Sequence, residues 1–70
     1  MMPLYVAPIG EKLTIAKVKG KEETVRFLGN LGFVSGADIE VVSESGGNMI
    51  VNVKGSRIAI GKDMAKRIYI

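Results

Sequence analysis

The sequence predicts an all-β fold, a small five-stranded barrel or sandwich with one short inserted helix. Apolar and polar residues alternate over short runs in the second half of the chain, and glycine-rich turns separate those runs. Helical spacing is confined to one segment, where Val25, Leu28 and Leu31 form the face that packs on the barrel. Gly32 ends this segment, because glycine adopts the left-handed conformation of a helix terminus without steric cost.

The first predicted strand runs from Glu11 to Lys19. Pro3 and Pro8 keep the preceding segment extended, because proline fixes its own φ and restricts the residue before it. The apolar residues of this strand do not alternate strictly, which indicates a bulge or a strong twist. Gly20 ends the strand.

The inserted helix is predicted from about Glu22 to Leu31. Glu22 and Glu23 lie in its first turn, where the positive end of the helix dipole favours acidic side chains. Gly29 inside the helix costs about 1 kcal/mol relative to alanine, so packing of the apolar face must supply the stability. Ser35-Gly36 then turns the chain into the next strand.

Three further strands, a helical turn and a final strand complete the predicted fold. Their predicted bounds are Asp38–Ser45, Met49–Lys54 and Arg57–Ile60 for the strands, Gly61–Ala65 for the helical turn and Arg67–Ile70 for the last strand. Glycines at Ser45–Asn48 and at Gly55-Ser56 indicate two tight hairpin turns, and Asp63 is the predicted cap of the helical turn. The predicted core residues here are Ile39, Val41, Met49, Val51, Val53, Ile58, Ile60, Ile68 and Ile70.

Composition indicates one domain, residues 1–70, built around one core. The apolar content of 47% suffices for such a core, and no apolar run approaches the roughly 20 residues that span a membrane. The N-terminus lacks the basic start and long apolar centre of a signal peptide. We therefore expect a soluble cytoplasmic protein without membrane insertion, whose net charge of +3 serves solubility.

The residue inventory argues against an enzyme and against a resident metal or cofactor. The chain has no His and no Cys, which removes the commonest general bases and the imidazole and thiolate ligands of metals. Glu22 and Glu23 diverge on a helix, and Asp38 and Asp63 lie beside turns where aspartate forms local hydrogen bonds. The glycines around Gly32 lack the Lys and Ser/Thr of a phosphate-binding loop.

Several segments carry a family resemblance. Arg26 to Phe33 reads R-F-L-G-N-L-G-F, and Gly36 follows four residues after Gly32. The flanking segments that match are Leu4–Gly10, Lys12–Val18, Ile58–Ile60, Met64-Ala65 and Ile68. Together they resemble the FeoA family, small cytoplasmic proteins associated with bacterial ferrous-iron transport, although Gly29 replaces a larger helix former and Ser35 a common proline. The resemblance implies an SH3-like barrel with one inserted helix and a one-turn helix before the last strand.

The resemblance also implies a function, docking on the cytoplasmic portion of the membrane GTPase transporter FeoB. The candidate docking residues are Arg26, Asn30, Phe33 and Val34, and the candidate structural turn residues are Gly32 and Gly36. Arg26 and Asn30 lie four apart on one helix edge, where they present hydrogen-bond donors to a partner. The two apolar residues lie on a connection that dictates no burial. The alternatives are that Phe33 fills the end of the barrel and that Arg26 is merely solvated.

Two other functions stay open. Lys17, Lys19 and Lys21 form a basic stripe of the kind that small nucleic-acid-binding barrels use, but few aromatic residues accompany it, so nucleic acid is the weaker hypothesis. Iron-dependent repressors carry similar barrels as C-terminal domains, although this chain has no helix-turn-helix. Exposed barrel edges and outward apolar residues such as Val42 favour a homo-oligomer.

Overall fold

The computed structural model describes residues 1–70 and has six strands. They are β1 (Lys12–Thr14), β2 (Lys17–Val18), β3 (Asp38–Ser45), β4 (Asn48–Val53), β5 (Ser56–Gly61) and β6 (Ile68–Tyr69), with helices α1 (Glu22–Asn30) and α2 (Lys62–Ala65) and a 3-10 turn at Leu4–Val6. The prediction of a mainly β fold with one inserted helix and one helical turn before the last strand is confirmed.

Two antiparallel sheets form the barrel, one with the order β1-β3-β4-β5 and one pairing β2 with β6. The prediction of one strand from Glu11 to Lys19 is wrong, because its two halves belong to different sheets. The backbone N–H of Ile15 donates to the oxygen of Ala37 at 2.9 Å, whereas the N–H of Ala16 donates to the oxygen of Tyr69 at 2.7 Å. The chain therefore changes sheets between these two residues, which raises the strand count from five to six.

The strands β3, β4 and β5 form a meander with two-residue turns. β3 has the predicted bounds, and its register with β4 shifts between Val41 and Ser43. The first turn is Gly46-Gly47, with φ values of +57° and +85°. The second turn is Lys54-Gly55, with φ values of +49° and +77°, so the predicted turn at Gly55-Ser56 is one residue too late. Lys54 takes the left-handed conformation that the prediction reserved for glycine.

The core is a single apolar cluster that contains no buried polar or charged residue. Its 13 members are Leu4, Ala7, Ile15, Leu28, Phe33, Ile39, Val41, Met49, Val51, Val53, Ile60, Ala65 and Ile68. Ile58 and Ile70, predicted to point inward, are half-buried against this cluster. Asp63 does not cap α2 as predicted; Gly61 is the N-cap, without a side-chain hydrogen bond, and Asp63 lies in the first turn.

The two ends of the chain lie side by side. Met2 and Ile70 exchange backbone hydrogen bonds of 3.0 and 2.9 Å, and Pro3 bridges to Tyr69. The ammonium of Lys19 lies 4.7 Å from the centre of the Tyr69 ring. Neither helix has the length and apolar character that crossing a membrane requires.

Candidate docking surface

The connection between α1 and β3, residues 31–37, carries the candidate docking residues Phe33 and Val34, and the end of α1 fixes its conformation. Gly32 has φ +107°, which confirms the predicted left-handed stop. Its N–H donates to the oxygen of Gly29 at 3.0 Å, and the N–H of Phe33 donates to the oxygen of Leu28 at 3.0 Å. This pair of bonds is a Schellman motif, which commonly brings the apolar residue after the glycine back toward the last turn of the helix.

Phe33 is therefore buried. Only 1% of it is exposed, and Leu28 beside it in the core is fully buried. The prediction that Phe33 offers an exposed apolar contact is wrong, because the Schellman motif turns the chain inward at this residue. The burial of Phe33 agrees with the alternative given in the sequence analysis, in which this side chain fills the end of the barrel. Val34, the next residue, is 38% exposed and so lies at the surface as predicted.

Two hydrogen bonds hold the connection after Phe33 against the barrel. The N–H of Gly36, at φ +86°, donates to the oxygen of Ile15 at 2.8 Å, and the hydroxyl of Ser35 donates to the oxygen of Ala16 at 2.9 Å. Both acceptors lie where the chain changes sheets. Val34 is consequently presented by a connection with fixed geometry.

A shallow groove of about 220 Å³ lies between α1, β2 and this connection. It is lined by Lys17, Val18, Val25, Gly29, Phe33, Val34 and Ser35. A Cβ at Gly29 would lie 3.8 Å from the Cγ1 of Val34, an ordinary van der Waals distance, so the helix and the connection lie close together at this point. The floor of the groove is apolar, and Lys17 supplies the single charge among its lining residues.

α1 contributes little to the core. Leu28 is its only buried residue, while Val25 and Phe27 are 37% and 53% exposed. The prediction that Val25 packs on the barrel is wrong. At about 100° per residue, Val25 lies to one side of Leu28, on the flank that faces the groove, and Phe27 lies on the other flank.

Arg26 and Asn30 do not line the groove. At about 100° per residue they lie on the side of α1 opposite the buried Leu28, next to the flank that carries Val25 and Gly29. The Nη2 atom of Arg26 donates to the Oε1 atom of Glu22 at 2.9 Å, and these side chains are 69% and 86% exposed. An exposed ion pair of this kind contributes only about 0.3–0.5 kcal/mol, so a partner's carboxylate can replace Glu22 at little cost. Asn30 is exposed.

Of the four candidate docking residues, the structure thus places Val34 and the buried Phe33 at the groove, whereas Arg26 and Asn30 lie on the exposed side of α1. Sequence reasoning missed the contributions of Lys17 and Val18, whose position depends on the pairing of β2 with β6. It also treated Gly29 only as a cost to helix stability. In the structure Gly29 also lines the groove.

The other candidate sites take less part in this surface. Lys19, from the basic stripe, lies over Tyr69, whereas Lys17 lies at the groove. A polar depression of about 420 Å³ lies on the outer face of β1, β3 and β4. No group of three or more His, Cys, Asp or Glu side chains is placed to hold a metal ion.

Comparison with known proteins places the chain in a family. The FeoA domain matches residues 2–70. A Methanocaldococcus jannaschii protein, whose name assigns it to the Fe(2+) transport protein A group, is 31% identical over 70 residues, which is 100% of this chain and 85% of the relative.

Solved structures support the same assignment. The FeoA of Stenotrophomonas maltophilia, described as a prokaryotic SH3 domain protein and solved with zinc, superposes with a TM-score of 0.83 at 27% identity, over 97% of this chain and 87% of that one. A manganese-dependent transcriptional repressor has a TM-score of 0.87 at 17% identity, over 97% of this chain and 39% of the repressor, and so shares the fold alone. The SH3-like barrel is confirmed, and the chain belongs to the FeoA family of ferrous-iron transport accessory proteins.

Proposed function

We propose that this chain is a non-catalytic cytoplasmic accessory protein that docks on the cytoplasmic portion of FeoB through the groove beside α1. The observation that carries this proposal is the groove itself. Val25 and Val34 are 37% and 38% exposed there, and hydrogen bonds at the helix stop and at Ser35 and Gly36 hold them in place. Exposed apolar residues in a concave, preorganised surface are typical of a partner-binding site.

The border of the groove defines the partner's chemistry. Lys17 lines the groove, and Arg26, one residue after Val25 on the exposed side of α1, has only an exposed partner at Glu22. A segment that inserts an apolar side chain between Val25 and Val34 and carries a carboxylate next to it satisfies both features. To modulate the transporter, the chain must bind one conformation of FeoB more tightly than another.

The docking surface is tested by calorimetric titration of the chain into the purified cytoplasmic GTPase domain of FeoB from the same organism. We expect Val34→Glu to weaken binding by more than about tenfold, because it places a charge against the apolar floor. Val6→Glu is the matched control, since Val6 is also an exposed valine, at 62%, but does not line the groove. Arg26→Ala is expected to weaken binding about three- to tenfold through the lost charge.

Thermal unfolding of each variant establishes that it is folded before its binding is compared. If folded Val34→Glu and Arg26→Ala proteins bind like the wild type, the groove is not the docking surface. If the wild type does not bind the GTPase domain but binds RNA with a strong salt dependence, the docking function is wrong and the basic stripe becomes the site to study.

A further inference from the structure

We propose that the free edge of β5 pairs antiparallel with the same edge of a second copy of this chain, centred on Ala59. This surface lies outside the groove and does not depend on docking to FeoB. Three features of β5 favour this pairing: backbone groups that point away from β4, an edge that nothing covers, and a sequence that is complementary to itself.

The direction of the backbone groups follows from the β4–β5 hairpin. The two-residue turn at Lys54-Gly55 makes Val53 and Ser56 a hydrogen-bonded pair, and such pairs recur at every second residue. The pattern is still kept at the other end, where the N–H of Lys62 donates to the oxygen of Gly47 at 2.9 Å. Ser56, Ile58 and Ile60 therefore bond to β4, whereas Arg57 and Ala59 direct their N–H and C=O groups outward.

Nothing in the fold covers this edge. β5 is the last strand of its sheet, and no loop or turn hydrogen bond involves the backbone of Arg57 or Ala59. Both residues are exposed. Proteins often protect an edge strand with a proline or a β-bulge. β5 contains no proline, and its register with β4 is continuous from Ser56 to Gly61, so it has neither feature.

The opposite edge of the same sheet differs. β1 is only three residues long, and the chain leaves the sheet directly after it, at the Ile15–Ala16 switch. A short edge strand of this kind is one way in which proteins prevent edge-to-edge association. Of the two edges, β5 with six residues is the one long enough to add a strand.

A second copy of β5 fits this edge. Antiparallel pairing about Ala59 places Ala59 opposite its own counterpart, Arg57 opposite Gly61 of the second copy, and Ile58 opposite Ile60 of the second copy. No two like charges face each other, and the small residues Ala59 and Gly61 do not hinder close approach. The half-buried Ile58 gains an apolar neighbour at the open edge.

The pairing is expected to be weak. One strand from each copy buries far less than the roughly 800 Å² per partner of a stable complex. The association should therefore be visible only in concentrated solution, with free and paired chains in rapid exchange.

Amide hydrogen exchange measured by NMR from dilute to near-millimolar protein tests the proposal. We expect exchange at the Ala59 amide to slow as the concentration rises. The Thr14 amide is the internal control, because it points outward from the edge of β1, and its exchange should not change. Sedimentation equilibrium should show dimerisation weakened more than about tenfold by Ala59→Lys, which sets like charges directly opposite each other.

Ser43→Lys is the matched control for added charge, since Ser43 is exposed on β3, which β4 separates from β5. This variant should dimerise like the wild type. The proposal is overturned if Ala59 exchange is independent of concentration, or if the Ala59→Lys protein associates like the wild type. Slowing of Ala59 exchange only when the FeoB domain is added would also overturn it, and would assign the edge to a strand of that partner.

Discussion

Gly29 and Gly32 lie three residues apart and meet opposite conformational demands. Gly29 is helical, and a Cβ there would meet only the Cγ1 of Val34, at 3.8 Å. Gly32 has φ +107°, and a Cβ there would lie 3.5 Å from the Cδ of Lys54 and 3.7 Å from the Cγ1 of Val53. A side chain at Gly32 is therefore strained by the backbone, whereas one at Gly29 fits an ordinary helix.

The two alanine variants should shift stability in opposite directions. We expect Gly32→Ala to lower the free energy of unfolding by about 1–2 kcal/mol, because a non-glycine residue resists the left-handed conformation. We expect Gly29→Ala to raise it by about 0.5–1 kcal/mol, since alanine is the better helix former. Urea titration followed by far-UV circular dichroism measures both. Equal effects of the two variants would contradict this account of the helix stop.

Residue-level prediction succeeds where one residue type alone can satisfy the backbone. The stop at Gly32 is predictable for that reason. The turn at Lys54 is not, because lysine at φ +49° runs against its intrinsic preference, so the predicted turn at Gly55-Ser56 lies one residue too late. The burial of Phe33 can be predicted only from the Schellman motif, in which an apolar residue directly after the glycine packs back toward the helix.

At the scale of the element, α1 has one fully buried side chain, Leu28. Leu28 is 0% exposed, whereas the neighbouring Phe27 is 53% exposed. A helix this short is marginal in water by itself, so its stability depends on that contact and on the hydrogen bonds of the helix stop.

Alanine substitutions at Leu28 and Phe27 distinguish the buried side chain of α1 from an exposed one. We expect Leu28→Ala to lower the free energy of unfolding by about 2–5 kcal/mol, because it leaves a cavity in the core. Phe27→Ala, on the exposed flank, should change it by less than about 0.5 kcal/mol. Chemical denaturation of both variants gives the comparison. A large cost at Phe27 would mean that the helix packs through a different face.

Elements were predictable where the pattern is local. β3 has the predicted bounds because alternation at Ile39 and Val41 is flanked by turn residues on both sides. The first strand was predicted as one because the shift in its apolar alternation between Ile15 and Ala16 is equally typical of a bulge. The assignment of its two halves to different sheets depends on Ala37 and Tyr69, which are distant in sequence.

At the scale of the whole molecule, one cluster joins both ends of the chain to its centre. Leu4 and Ile68 belong to the same buried core as Val51. The chain has two tyrosines and no tryptophan, and they are Tyr5 and Tyr69, both at the junction of the chain ends. Tyrosine fluorescence therefore reports on that junction alone.

A single core predicts a single unfolding transition. We expect the urea transition monitored by tyrosine fluorescence to coincide with the one monitored by far-UV circular dichroism, because the junction and the sheets share the same buried residues. Fluorescence that changes at a lower urea concentration would show that the terminal segments separate before the barrel unfolds.

Fold class and family could be predicted from the sequence. The fold class follows from local alternation and turn glycines, and the family follows from short matching segments along the whole chain. The docking surface was accessible only in part. Val34 lines the groove as a predicted surface residue, but Arg26 and Asn30 do not, and the groove exists because β2, α1 and the Val34 connection meet in space.

The hydrogen bonds between Met2 and Ile70 make the backbone almost a closed ring. A short peptide joining residue 70 to residue 1 would bridge ends that are already neighbours, and new ends could be opened at the exposed Gly46-Gly47 turn. Such a circular permutant would keep every strand pairing within the sheets. It would also move any attached label from the chain junction to the tip of the β3–β4 hairpin, which gives an affinity tag or fluorophore a choice of two distinct faces of the protein.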